Sequence, residues 1–371
     1  MTRRFVIAAV VAAGLALPSG AALAQPVLQG AVVSANPADW TPYVLDGEVD
    51  SVVEIGDTVI AGGTFTQVRS PLGGGVVSRA YLVAFSKSTG RLSTTFAPTV
   101  DGPVDSLLPT ADGTGVYVGG SFQKINGVVK RRLALLDLGT GQVVPSFAPP
   151  EPNAKVLAIL RRGDELIVSG TFTLLGTTAR TVMASVSAAT GALTGTVNVA
   201  FAGPRTAPNG DKAPLSAERM SMTPDGSRFV VIGNFTFAGG LRRDQIALLT
   251  LSGATATVSP WVTTLYQPNC GSTFPSYIRD ADFSPDGTWF AVVTTGGPAG
   301  NYCDSAVRFE LSPEAGYHTP TWVDFTGGDT FTRVSVADQV VYVGGHFRWL
   351  NNPSRGDRAG QILRREAYNE G

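Results

Sequence analysis

The segment VYVGGSFQKING, residues 116–127, alternates apolar and small residues, halts at two glycines and then places an aromatic. Near-copies stand at VIAGGTFTQV from Val59, LIVSGTFTLL from Leu166, FVVIGNFTFAGG from Phe229 and VVYVGGHFRWL from Val340. With the aromatic as marker, Phe65, Phe122, Phe172, Phe235 and Phe347 are spaced by 57, 50, 63 and 112 residues. The last spacing holds two periods, and TWFAVVTTGG from Thr288 supplies the degenerate copy between them. A repeat of this size marks an array in which no unit buries its own hydrophobic face, so each must stack on its neighbours.

Each unit repeats one internal order. A first strand (VDSVVEI, VDSLLPT, VLAILRR, RMSMTPD, DADFSPD, RVSVADQ) runs into a turn at Gly56-Asp57, Asp112-Gly113, Gly163-Asp164, Asp225-Gly226, Asp286-Gly287 or Ala337-Asp338. Asp-Gly supplies the positive φ angles that two-residue hairpins require. The glycine-ended second strand follows, then a third such as YLVAF, LALLD or IALLT. A second turn comes at Thr89-Gly90, Thr140-Gly141, Thr190-Gly191 or Ser252-Gly253, and a fourth strand closes on Phe96, Phe147, Phe201, Trp261 or Trp322. Four antiparallel strands, repeated, predict an all-β chain folded as a β-propeller of six four-stranded blades. Helical solenoids are excluded because no 3.6-residue period is present, and a parallel β-helix would use shorter repeats. The glycines are expected to let neighbouring blades approach closely, with the aromatic filling the wedge between them.

The units run over 49–100, 104–150, 155–202, 215–262 and 277–323, with a last one at 329–349 that lacks its third and fourth strands. Residues 27–43 are expected to complete it, because Trp40-Thr41-Pro42 matches Phe96-Ala97-Pro98 and Phe147-Ala148-Pro149. That pairing would close the ring and cover its sheet edges. The alternative is a seven-bladed parent shortened at its C-terminus.

The run VYVGGSFQKINGVVKRRLALLDLGTGQVVPSFAP resembles the delta-60 type repeat of secreted bacterial β-propellers: a glycine-ended strand, an Asn-Gly loop, an Arg-led apolar strand and an aromatic-Pro close. The likeness extends over most of residues 40–349 and is specific in the first three units. It implies a secreted propeller and brings no catalytic residue with it.

The N-terminus, MTRRFVIAAVVAAGLALPSGAALAQP, has the form of a secretory signal over residues 1–24: Arg3 and Arg4, a short apolar run, then Ala22-Leu23-Ala24. One domain, 25–371, remains, with no further membrane span. In an oxidising compartment the two cysteines, Cys270 and Cys303, read as one disulfide closing a 33-residue loop. The formal net charge of −1 gives no footing for nucleic acid.

The turns after first and third strands fall on one rim, so the longer connections, 67–79, 203–214, 264–276, 298–305 and 348–363, fall on the other. Elaborated loops on a rigid scaffold are where binding concentrates. On that rim His346, Arg348, Trp349, Asn351 and Asn352 set an aromatic among amides and a cation, a mix suited to a sugar ring, and Tyr302 lies beside the cysteines. Arg79, Arg131, Arg180 and Arg243 recur before the third strands as a possible anion ring or as structural ion pairs, one per blade.

With only His318 and His346, no multi-imidazole metal centre can form. Asp280, Asp282 and Asp286 align with strand and turn rather than with a calcium loop. No nucleophile elbow or nucleotide loop is present, and no cofactor is indicated. The reading is of a secreted, monomeric, non-catalytic propeller that binds a glycan or protein through its long-loop rim. Two alternatives stand beside it. One is an extracellular carbohydrate-active hydrolase or lyase with an acidic pair at the central mouth. The other is a structural cell-surface propeller without a small ligand.

Overall fold

The alternating first and second strands of each unit pair as antiparallel ladders. In the computed structural model, residues 38–347 are described apart from 74, 297–301, 327 and 339, together with residues 34, 349, 350, 365 and 366. Residues 1–24, where a secretory signal is expected, and most of 27–37 lie outside them. The described chain is all-β, with no helix.

The first sheet orders Val49–Ile55, Thr58–Gly63 and Leu82–Ser86; the second, Val104–Pro109, Gly115–Gly120 and Leu133–Asp137; the third, Val156–Arg162, Glu165–Gly170 and Met183–Ser187. The fourth holds four strands, Arg219–Met222, Arg228–Ile232, Ile246–Ser252 and Thr255–Val258, as does the fifth, Ile278–Phe283, Trp289–Thr294, Ser305–Glu310 and Trp322–Phe325. The sixth pairs Thr330–Ala337 with Val340–His346. The expected fourth strand of the first three units shrinks to single bridges, Phe85 to Leu92, Leu136 to Val143 and Val186 to Leu193. In the first unit only a few residues separate the bridge from Phe96, which turns into the core as its amide bonds Ser93 Oγ at 3.0 Å.

Alternation within the second strands builds the core between sheets. Val230 and Ile232 pack with Ile278, Phe290 and Val292 of the fifth sheet, while Phe229 and Val231 pack with Ala158, Ile167 and Met183 of the third. Similar clusters join the first sheet to the second, the second to the third and the fifth to the sixth. On the first sheet Val49 and Val52 are instead exposed.

The paired glycines divide their work. A Cβ on Gly62 or Gly119 would strike Val104 or Val156 of the next sheet, the close approach expected between units. A Cβ on Gly63, Gly120 or Gly170 would strike the carbonyl of Glu48, Pro103 or Lys155 in its own unit, so the second glycine serves the first strand's own crossing. The aromatic after the pair, Phe65, Phe122, Phe172 or Phe235, is fully buried. Its carbonyl accepts the amide of Tyr81, Arg132, Val182 or Gln245, each left-handed with φ between 58° and 68°.

The fifth unit departs from the expected alignment. Thr294 pairs with Ile278 as Gly63 pairs with Val49, so Val293-Thr294 occupies the glycine-pair position. Gly296 is a glycine for another reason: a Cβ there would collide with Cys270. Trp322 opens its strand opposite Arg308 and is 41% exposed, so it is not the buried closing aromatic that Trp261 is.

The turns Gly56-Asp57 and Gly163-Asp164 have the expected two-residue form, Ile55 pairing with Thr58 and Arg162 with Glu165, whereas the Asp-Gly turns are longer. The second sheet's first strand ends at Pro109 and its second begins at Gly115; Asp112 accepts the Thr110 hydroxyl at 2.6 Å and the Thr114 amide at 3.1 Å, and only Gly113 is left-handed. Asp225 and Asp286 cap their turns alike. Asp280 and Asp282 lie in the strand Ile278–Phe283, as expected.

Candidate functional site

The register of the first strands shifts close to their start: between Val49 and Ser51, Val104 and Ser106, Val156 and Ala158, Ile278 and Asp280, and Phe331 and Arg333. A bulge leaves one residue out of the ladder and re-aims its side chain. The skipped residues are Asp50, Asp105, Leu157, Arg279 and Thr332. Val49 pairs with Gly63 at the end of the second strand, so these bulges lie on the rim of the longer connections.

Three skipped residues meet in one cavity of about 170 Å³, lined by Asp105, Leu157, Glu218, Arg219, Arg279 and Arg333. Arg219 donates to the Leu157 carbonyl at 3.0 Å, and Arg333 donates to the Thr332 carbonyl at 3.0 Å. Arg333 also reaches from the sixth sheet to Asp50 of the first, Nη2 to Oδ1, at 3.8 Å. Arg279 sits over the Phe274 ring at 5.8 Å, and Glu218 accepts the Ser216 hydroxyl at 2.9 Å. Asp105 Oδ2 is enclosed without a hydrogen-bond partner.

Burial dominates the electrostatics. It pushes the Asp105 carboxyl up to about 6, with Lys155 pulling it down and Asp50 pushing it further up. Burial also raises Asp280 to about 6, against the amide of Val334 that bonds its Oδ2 at 3.1 Å. Asp50 rises for the same reason, opposed by Arg219 and Arg333. Burial lowers Arg279 and Arg333, with Glu218 favouring the charged form of Arg279.

Of the residues singled out on the rim, His346 and Tyr302 are described with their side chains. His346 ends the strand Val340–His346 with its side chain 88% exposed and Nδ1 3.5 Å from Asp329 Oδ1. Arg348, Asn351 and Asn352 lie outside the described residues; Trp349 pairs through its backbone with Glu366. Tyr302 is partly buried and stacks on Phe325 at 6.3 Å. Cys270 and Cys303 are disulfide-bonded, Cα to Cα 5.6 Å, in the same hydrophobic cluster as Tyr266 and Tyr277.

The recurring arginines do not line the cavity. Arg131 pairs with Glu151 at 2.6 Å, Arg180 donates to the Ala179 carbonyl at 2.8 Å, and the buried Arg243 donates to the Ser259 carbonyl at 2.9 Å. Arg79 bonds Thr66 through its backbone amide. Each is tied into its own unit or the adjoining connection, so the cations at the cavity are Arg219, Arg279 and Arg333 instead.

Sequence reasoning also passed over Arg205. Its guanidinium donates to the carbonyls of Tyr266 at 2.8 Å, Gln267 at 3.1 Å and Pro275 at 3.1 Å, and to Asn269 Oδ1 at 2.7 Å. One side chain of the 203–214 connection thereby fixes the course of the 264–276 connection.

No family model matches the sequence, and no curated protein matches it. Among solved structures, hydrazine synthase from Kuenenia stuttgartiensis aligns at 12% identity over 78% of this chain and 71% of that one, with a TM-score of 0.46.

Proposed function

We propose that the chain is an exported six-bladed β-propeller that binds a glycan, without transforming it, at the axial mouth on the side of the longer connections. The observation that carries this reading is the cavity where consecutive first strands aim Asp105, Leu157, Glu218, Arg219, Arg279 and Arg333 at one space. Its volume, about 170 Å³, is below the range of drug-sized pockets and suits one small ligand unit. Planar guanidinium and carboxylate groups bond pairs of hydroxyls directly.

Ring closure between the sixth and first sheets is supported by the Arg333–Asp50 contact and by the seat of Trp40. Trp40 Nε1 donates to the Lys87 carbonyl at 2.9 Å, and its backbone packs on Gly90 as that of Phe96 and Ala97 packs on Gly141. Residues 38–43 then stand to the ring as the closing segments stand to their units. Export is supported by the form of the N-terminus and by the disulfide. The delta-60 repeat likeness agrees with both, and the protein acts as a monomer in this reading.

A second reading, a hydrolase or lyase, draws on the raised carboxyls of Asp105 and Asp280. The binding reading is preferred because Asp280 holds the amides of Val334 and Ala281, and Glu218, the other acid in the cavity, already accepts the Ser216 hydroxyl.

A thermal-shift panel of oligosaccharides and cell-wall fragments tests the proposal. A ligand at 100 times its Kd stabilises the fold by about 2.7 kcal/mol. A shift that persists undiminished in Arg279→Gln would remove the axial mouth as the site. Product formed from a bound glycan and abolished by Asp105→Asn would replace binding with catalysis.

A further inference from the structure

The charges at the mouth are unequally committed. Arg219, Arg279 and Arg333 line the cavity against Asp105 and Glu218, one positive charge in excess. Each nearby carboxylate has a cation acting on it: Lys155 on Asp105, Arg279 on Glu218, Arg333 on Asp50. Most N–H groups of the three guanidiniums make no bond to the described residues: Arg219 and Arg333 each donate once to a carbonyl, and Arg279 has a ring contact alone. Among the described residues of the lining, Leu157 is the only apolar one.

This combination selects a ligand. An ammonium group would find every carboxylate beside a cation, which disfavours amino acids and amines. A phosphate dianion would overshoot a single excess charge. A neutral sugar would satisfy Asp105 and Glu218 through its hydroxyls and offer the guanidinium forks only hydroxyl oxygens, weaker acceptors than a carboxylate. A monocarboxylate on a ring of hydroxyls uses both kinds of group, because a carboxylate accepts two parallel N–H bonds from arginine and hydroxyls donate to Asp105 and Glu218.

We infer that the cavity lined by Asp105, Glu218, Arg219, Arg279 and Arg333 is a subsite for a sugar acid, a hexuronic acid residue held by its carboxylate on arginine and by its hydroxyls on the two acids. This rests on the glycan-binding reading above. Arg279 is the anchor, since no protein carboxylate or carbonyl holds it in hydrogen bonds.

The test is calorimetric titration of the full protein with methyl glucuronide, methyl glucoside, acetate, glycine and glucose 1-phosphate at low salt. The expected order places the glucuronide first, about tenfold tighter than the glucoside, the difference one charged hydrogen-bonded contact makes. Arg279→Gln should remove that advantage while Arg91→Gln, an exposed turn cation, keeps it; melting curves establish that both variants are folded. Glucoside binding equal to glucuronide, with both lost in Arg279→Gln, overturns the sugar acid and leaves the mouth as a glycan site. Tighter binding of glycine, acetate or the phosphate also overturns it. Glucuronide binding unaffected by Arg279→Gln overturns the mouth itself.

Discussion

Asp282 Oδ2 accepts the amide of Val336 at 2.9 Å, and its other oxygen takes the hydroxyl of Ser221 at 2.7 Å. One carboxylate on the fifth sheet therefore ties the fourth sheet to the sixth. Burial raises its pKa while the Val336 and Ser221 bonds pull it back. Asp282→Ala strands a buried amide and a hydroxyl together, each costing about 1–3 kcal/mol when unsatisfied. Asp282→Asn keeps an acceptor and should lose visibly less in urea unfolding. Equal losses would show that the carboxylate is not what joins the sheets.

The two glycines of a pair should respond differently to alanine. Gly63→Ala drives a Cβ into the backbone of Glu48, which cannot step aside, and about 3 kcal/mol of destabilisation is expected at the upper end of overpacking. Gly62→Ala meets the Val104 side chain, which can turn away, and should cost less. Chemical denaturation of the two variants side by side checks the order.

The Asp105 carboxyl stands at about 6 in the folded chain against its ordinary value of 3.8. The native state holds the extra proton between those values, so this group's contribution to stability falls as pH rises from about 4 to about 6 and then levels. Asp280 acts in the same direction. Melting temperatures of Asp105→Asn should therefore gain on the parent from pH 4 to pH 7. A constant difference across that range would refute the assignment.

Reduction of the Cys270–Cys303 bond opens a loop of sequence separation 33 and should cost about 3–4 kcal/mol in the chain-entropy model. Arg205→Ala frees the same region by another route, removing donors to four carbonyls, those of Tyr266, Gln267, Pro268 and Pro275, and to Asn269. Hydrogen exchange confined to residues 264–276 is the expected readout for both. Global acceleration in Arg205→Ala would make the guanidinium a support of the whole fold instead.

Strands and disulfide were legible in the sequence because their signals are local: alternation, glycine-ended runs, a cysteine pair. The mouth was not. By alternation Asp105 shares a face with the core residue Leu107, and Arg279 with Ala281 and Phe283, and only the bulges, set by pairing with distant residues, turn the two charged side chains to the cavity instead. The recurring arginines were visible, but carbonyl acceptors such as Ser259 O carry no sequence mark. Gly296 was read as part of a repeat because glycine looks the same whether it clears a strand crossing or a disulfide. The fourth strands were overcounted in the first two units, where Phe96 and Phe147 follow Gly90 and Gly141 too soon for a ladder to form.

The ties between neighbouring sheets are of four chemical kinds, with the serine tie used twice. Ser51 accepts the Leu107 amide, Tyr117 donates to the Ala188 carbonyl, Arg162 donates to Gly226 and Gly253, Ser221 accepts the Phe283 amide, and Asp282 accepts that of Val336. A chain written as near-copies is exposed to trading one copy for another, within itself or with a second molecule. The Ser51 and Ser221 joints share one chemistry, but the tyrosine hydroxyl and the guanidinium that stand between them do not, so the order of the sheets stays specified along the chain.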